Sequence, residues 1–324
     1  MRNLHRVVAI IEQRKMRQAA LERALALYQA SCRTRAKSDI KIVALMPIFD
    51  FSFEGRLSSK MSLDQIEQNK SALIKKHKKW LENYLSIHAM GFDIECHVIC
   101  SKFPGRDIIS YARERSADII IKTADVHGLL DSVLFTPLDL QLLRHSSIPV
   151  LIARDRIWHP TGVIAVALQM ADPSDVKTRK LNMRLLREAQ ELSQITKCKI
   201  HLLNAIPPVL PPASIALPGF VPESLGDETL KEGCRALLTF AKRHRIMGEY
   251  CHIREGHPED VIPALCDELK PTALFIGTAA RDGLAVALLG NICEKVIDTL
   301  ECDVAVITPK AVEHKQEISD LNTQ

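Results

Sequence analysis

No apolar run reaches the roughly 18 residues that a membrane-spanning helix needs. The first apolar stretch, Val7 to Ile11, is too short for a secretory leader and runs straight into Glu12, Gln13, Arg14 and Lys15. A cytoplasmic chain is therefore expected, with no membrane partner. The nine cysteines are odd in number and form no Cys-x-x-Cys pair, which does not suit a disulfide framework and suits a reducing compartment. Catalytic signatures are missing too. There is no Ser-His-Asp set, no paired-carboxylate signature and no Walker lysine, so an enzyme is not expected beyond weak ATP hydrolysis. No histidine or cysteine has companions at zinc-like spacing, and no metal is expected.

A strong charge of one sign is also lacking. The net charge is +4, although it divides into +8 through Pro160 and −4 after it. A split this dilute can steer anions or the two halves toward each other, and it does not point to direct nucleic-acid binding. Lys75, Lys76, His77, Lys78 and Lys79 form the one basic run, but Leu73, Ile74, Leu81, Tyr84 and Leu85 make an apolar stripe along the same helix, so the lysines read as its solvated face.

What is present is repetition. At 324 residues the length suggests two domains, and short buried strands alternate with helical patterns in both halves. Strands are expected at Val7 to Ile11, Ile40 to Met46 (ending at Pro47), Phe92 to Ile99, Asp118 to Lys122 and Pro149 to Ala153. A second series follows at Val163 to Leu168, Lys199 to Ala205, Glu249 to Arg254, Ala273 to Ile276 and Asp303 to Ile307. Such alternation implies parallel sheets covered on both faces. Cys96 His97 and Cys251 His252 lie 155 positions apart, and the same interval sets Lys122 on Gly277. Neighbours on a strand face opposite ways, so neither Cys-His pair chelates one ion, and both read as core positions. The chain is expected to comprise residues 1–156, residues 160–310 and a polar tail at 311–324.

One stretch stands out for chemistry. Gly277 to Glu294 reads GTAARDGLAVALLGNICE and follows an apolar strand with a polar loop and a helix start, the arrangement by which open α/β sheets build anion sites. The Pro-rich insert from Ile206 to Asp227 reads as an apolar loop without regular structure. It packs over its own sheet, or it forms a lid on a ligand pocket.

The stretch GTAARDGLAVALLGNICEKVIDTLECDVAVI, with EGHPEDVI ahead of the fourth strand of the second half, resembles the universal stress protein family over nearly the whole chain. The resemblance implies two tandem Rossmann-like domains of the adenine nucleotide alpha hydrolase-like kind, each a five-stranded parallel sheet of order 3-2-1-4-5. It also implies a role in stress tolerance, including DNA-damage resistance, as a binding and signalling module. Nucleotide-binding members carry Gly-x-x-Gly, nine residues, then Gly-Ser/Thr. Here those positions are Gly277, Ala280, Gly290 and Asn291, so two of the four depart. In the first half they fall on Lys122, Asp125, Phe135 and Thr136, a site closed to ATP. The aspartate that such members place after the first strand is replaced by Ala167 in one half and Ile11 in the other.

These residues lead to an expected weakened site for ATP, another adenine nucleotide or a different small anion, formed by Gly277, Thr278, Ala280, Arg281, Gly283, Gly290 and Asn291. Arg281 supplies charge, backbone amides supply geometry, and Ala167 and Ala205 line the adjoining crevice. Two alternatives are a carrier of a lipid-like anionic metabolite beneath the Pro-rich loop and a ligand-free interaction scaffold. The two repeats are expected to pack as an intramolecular pseudo-dimer through their fifth strands.

Overall fold

The computed structural model describes residues 4–34, 38–49, 62–125, 136–156, 158, 162–170, 175–208, 222–278 and 291–309. The first repeat runs β1 (Arg6–Ile10), α1 (Ala19–Thr34), β2 (Lys41–Phe49), α2 (Leu63–His88), β3 (Ile94–Ser101), α3 (Pro104–Glu114), β4 (Ile119–Thr123), α4 (Pro137–His145) and β5 (Val150–Ala153). The second runs β6 (Val163–Ala167), α5 (Val176–Thr196), β7 (Lys199–Ile206), α6 (Pro222–Arg243), β8 (Cys251–Glu255), α7 (Pro258–Leu269), β9 (Ala273–Gly277), α8 (Asn291–Thr299) and β10 (Asp303–Ile307). Among the described residues no helix is long and apolar enough to cross a membrane.

All ten strands join in one sheet of order β3-β2-β1-β4-β5-β10-β9-β6-β7-β8. Each repeat is parallel in the order 3-2-1-4-5. The central strands are buried on both faces, as parallel sheets require. Val7 and Ala9 of β1 face a core built with α1, α2, α5 and α6, whereas Val8 and Ile10 face a core built with α3, α4, α7 and α8. Each core is continuous across both repeats.

The seam between the repeats is the antiparallel pair β5 and β10, with Leu151 opposite Ala305. Asp303 is buried there and collects four donors. Arg23 of α1 reaches it at 2.6 Å with a second contact at 3.3 Å, the Trp158 indole donates at 2.6 Å, and the Arg154 amide donates at 2.8 Å. The guanidinium of Arg23 also donates to the Arg154 carbonyl at 2.9 Å. A buried carboxylate without these donors would be strongly destabilising, so the seam depends on Arg23 as much as on its apolar strands.

Pro47 does not end its strand, because β2 continues to Phe49. The Leu45 carbonyl accepts from the Ile11 amide, so the polar groups of residues 45 and 47 face β1. Pairing with β1 stops at Leu45, and the hydrogen that proline lacks has no partner to lose there. The insert of the second repeat is also shorter than expected, since α6 already begins at Pro222. Its residues 209–221 lie outside the described ones. In the basic run, Lys75, Lys76, Lys78 and Lys79 are exposed while Leu81 and Leu85 are buried, as the stripe implies.

Candidate functional site

In sheets of this order, strands 1 and 4 leave in opposite directions at neighbouring positions and open a crevice at their C-terminal ends. Each repeat has one such point, between β1 and β4 and between β6 and β9. The residues at those strand ends decide what such a crevice can hold.

At the second point, Ala167 ends β6 and Gly277 ends β9, both half-buried. Thr278 is buried, and its amide donates to the Ile307 carbonyl at 3.0 Å. Ala205 lies one strand further out on β7. Ala167, Gly277 and Thr278 therefore stand at the ends of neighbouring strands, with Ala205 one strand further out. Gly277 has no positive φ. Its missing side chain serves packing, since a Cβ there would sit 2.6 Å from Cδ2 of Leu181 on α5. Beyond β6, Asn182 holds the Gln169 backbone at 2.8 and 3.3 Å, and Asn204 accepts from the Met170 amide at 3.3 Å. The other amide nitrogen of Asn204 is buried with no hydrogen-bond partner among the described residues. Ala280, Arg281, Gly283 and Gly290 lie outside the described residues, and Asn291 is placed as the first residue of α8 by its backbone alone.

The first point is filled by the protein's own charges. Lys122, fully buried, directs its ammonium to Asp139 at 2.8 Å, Asp125 at 3.0 Å and Glu12 at 3.1 Å. Lys15 adds contacts to Asp125 at 3.0 Å and Glu12 at 3.3 Å, and donates to the Thr123 and Ala124 carbonyls at 2.8 Å. Arg14 closes the outside against the same two carboxylates at 2.9 and 3.3 Å. Burial alone pushes the Lys122 amine down, but Asp139, Glu12 and Asp125 outweigh it and hold the amine above the ordinary lysine range. Burial likewise pushes the Asp125 carboxyl up, and Lys122 with Lys15 brings it below the ordinary range. Among the described residues all three carboxylates and all three cations are matched, so these groups leave no unbalanced charge for an anion to answer.

The helix end at this point is equally occupied. Thr136 and Asp139 form a capping box on α4, with the Asp139 amide donating to Thr136 Oγ1 at 3.2 Å and the Thr136 amide donating to Asp139 at 2.9 Å. The Thr136 amide is thereby spent on the carboxylate that Lys122 neutralises and the Asp139 amide on the Thr136 hydroxyl, so neither is left for a phosphate.

The structure corrects the equivalence of the two points. Ile121 and Phe275 both face the first core, while Ile120 and Leu274 both face the second. The Ala124 amide donates to Ala153, and the Thr278 amide to Ile307. Thus Thr123, not Lys122, corresponds to Gly277, and Lys122 corresponds to Ile276. A shift by one would turn each side chain to the other face. The same reasoning moves the first strand, because the Ile11 and Leu168 amides donate to Leu45 and Leu203 respectively. Ile11 therefore matches Leu168, and Glu12 matches Gln169. At the interval that pairs Leu142 with Val296 in the two buried helix faces, Thr136 corresponds to Gly290. Phe135 lies outside the described residues.

Glu12, Lys15 and Asp139 were absent from the residues singled out in the sequence. One signal was available: a lysine in an otherwise apolar strand, IIIKT, with an aspartate three positions on. Of the Cys-His pairs, Cys96 and Cys251 pack partly buried against the first core, while His97 and His252 are half-buried on the edge strands. His97 stacks on Tyr111, whereas Nε2 of His252 lies 2.9 Å from Nδ1 of His201, so one ring donates to the other. His257 is placed at the N-cap of α7 but makes no side-chain cap bond. His127 lies outside the described residues.

Comparison with known proteins agrees with this architecture. The model of the universal stress protein family matches residues 3–154 and 179–308. Universal stress protein E of Photorhabdus laumondii is 32% identical over 317 residues, covering 97% of this chain and 98% of that protein. Universal stress protein E of Escherichia coli K12 is 31% identical over 316 residues, covering 97% of each. Among solved structures, one described as a universal stress protein from Pseudomonas aeruginosa superposes with a TM-score of 0.65 at 25% identity, covering 94% of each chain.

Proposed function

We propose, for a chain that belongs to the universal stress protein family as a tandem of two such domains, that it serves stress tolerance, including DNA-damage resistance, as a binding and signalling module and not as an enzyme. Its ligand end is the second repeat, and the ligand is a small anion, with an adenine nucleotide as the first candidate. The observation that carries this reading is the contrast between the two crevices. The first is filled by matched charges around Lys122. The second ends in Ala167, Gly277 and Thr278, with none of those charges at the corresponding positions Gln169 and Ile276. Arg281 is the cation that the loop sequence offers to an anion, and the backbone amides of the loop would set the geometry. In this reading the chain acts as a monomer, its two repeats serving as each other's dimer partner.

Isothermal titration of the full chain with ATP, ADP and AMP tests it. Heat of binding in the wild type that is lost in Arg281→Ala is the expected result. Absence of binding to all three at millimolar concentration would remove the nucleotide from the proposal.

A further inference from the structure

The outer flank of α5 carries a feature that the crevice does not use. A groove of about 490 Å³ runs along it, with Val176, Arg179, Lys180, Met183 and Arg187 on its wall and His244 across from them at the end of α6. Val176 and Met183 are 49% and 47% exposed, apolar surface left in water between cations. Arg184, also on this flank, is drawn inward and donates to the Ser147 carbonyl at 2.6 Å. Among the described residues Arg187 pairs with its neighbour Glu188 alone, at 3.2 Å. The side chains of Arg179 and Lys180 are exposed and make no ion pair among the described residues.

The order of charges along α5 is the reverse of what a helix dipole favours. Lys177, Arg179, Lys180, Arg184 and Arg187 come first along it, and Glu188 and Glu191 come after them. The first turn contains no acid, and only the N-cap Asp175 offsets it, accepting from the Lys177 amide at 2.9 Å. The first helix of the other repeat obeys the rule, with Glu22 in its first turn and Arg33 in its last. Cations at a helix N-terminus oppose the dipole, and a local rule broken without an internal gain is a mark of function.

We propose that this groove docks an acidic, amphipathic helical segment of a partner protein, with its carboxylates against Arg179, Lys180 and Arg187 and its apolar side against Val176 and Met183. From Val176 to Gln190 the flank is about 21 Å long at 1.5 Å per residue, the length of a helix of about four turns. Helix-in-groove recognition needs this combination of apolar anchors and flanking charge. A second copy of the chain does not fit, because a symmetric contact would set the cations of one copy against those of the other. Single-stranded nucleic acid would want a stacking platform, and no Trp, Tyr or Phe lines the groove. The lysine run of α2 is equally basic but has its apolar stripe buried, which makes it an internal control.

The test uses the full chain and a synthetic 16-residue peptide of Glu and Leu, with leucines at helical spacing, beside a scrambled peptide of the same composition. Fluorescence anisotropy should show the patterned peptide binding at least tenfold more tightly than the scrambled one. Lys180→Glu combined with Arg187→Glu should weaken it at least tenfold, whereas Lys78→Glu combined with Lys79→Glu leaves it unchanged. All four positions are exposed, and an unchanged melting temperature confirms folding. Hydrogen exchange should slow over residues 176–190 and not over residues 63–88. Equal binding of the scrambled peptide, an unaffected α5 variant or equal protection of α2 would overturn the proposal. So would displacement of the peptide by phosphatidylglycerol vesicles or single-stranded RNA at lower concentration than unlabelled peptide.

Discussion

The two crevices occupy the same place in the same fold and are built on opposite principles. In the first repeat, Glu12, Asp125 and Asp139 surround Lys122. At the corresponding positions the second repeat has Gln169, Ala279, Cys293 and Ile276, so each of these four charges has an uncharged counterpart there. A duplicated domain can thus fill a strand-end crevice with its own ion network in one copy while the other copy lacks those charges. The network extends to the helix cap, where Asp139 serves both α4 and Lys122.

The largest effect that separates the two is expected at this lysine. Lys122→Met leaves three carboxylates without their central cation and should cost about 3–5 kcal/mol in urea denaturation. Ile276→Met, the corresponding change in the second repeat, conserves volume among apolar neighbours and should cost less than about 1.5 kcal/mol. Similar losses for both would mean that the ion network does not distinguish the repeats.

Next in size is the pair Gly277 and Thr123. Gly277→Ala places a methyl group against Leu181, and overpacking of this kind costs about 1–3 kcal/mol. Thr123→Ala instead removes the hydroxyl that accepts from the Ala20 amide at 3.0 Å at the start of α1, at about 1 kcal/mol. Calorimetric melting of both variants would show whether the glycine is held by packing. If Gly277→Ala is as stable as the wild type, Leu181 moves aside and the crevice is larger than its walls suggest.

The smallest expected difference is in pH response. Burial comes first in holding both His201 and His252 below the ordinary histidine range, assisted by each ring's cationic neighbours: His252 and Lys199 for the first, and Arg254 for the second, against the opposing pull of Glu249 and Glu268. The unfolded chain therefore takes up protons first as pH falls. The stabilisation from this pair is complete above about pH 6.5 and shrinks below it. The depressed Asp125 carboxyl keeps its contribution down to about pH 4 and loses it only further down. Between pH 7.5 and 5, amide protection in β8, corrected for the intrinsic exchange rate at each pH, should fall severalfold while that of Thr123 to Asp125 holds steady. The double substitution of His201→Asn with His252→Asn should abolish the difference. An acid response that survives this substitution would assign it elsewhere.

Much of the fold could be read from the chain because buried strands and amphipathic helices leave periodic traces, and both repeats show them in the same order. What could not be read was register. Ile11 matches Leu168 and Ile121 matches Phe275, intervals of 157 and 154, so a single interval of 155 is two residues short at the first strand and slips by one at the fourth. In a strand that slip exchanges the two faces, and both faces of these strands are apolar, so the pattern gives no warning. Lys122 was consequently set against a glycine when its counterpart is an isoleucine. The ion network was hidden for another reason. Its members come from β1, β4, their loops and α4, which the sheet order brings together and the sequence holds over 120 positions apart, from Glu12 to Asp139.

The central claim is that ligand binds the second crevice and that the first is closed by its own charges. Backbone amide shifts of the isotope-labelled full chain, followed during titration with ATP, test it most directly. The account expects movement at Ala167, Gly277 and Thr278 with none at Thr123, Ala124 and Asp125. Shifts centred on Thr123 to Asp125, with the second repeat silent, would contradict it.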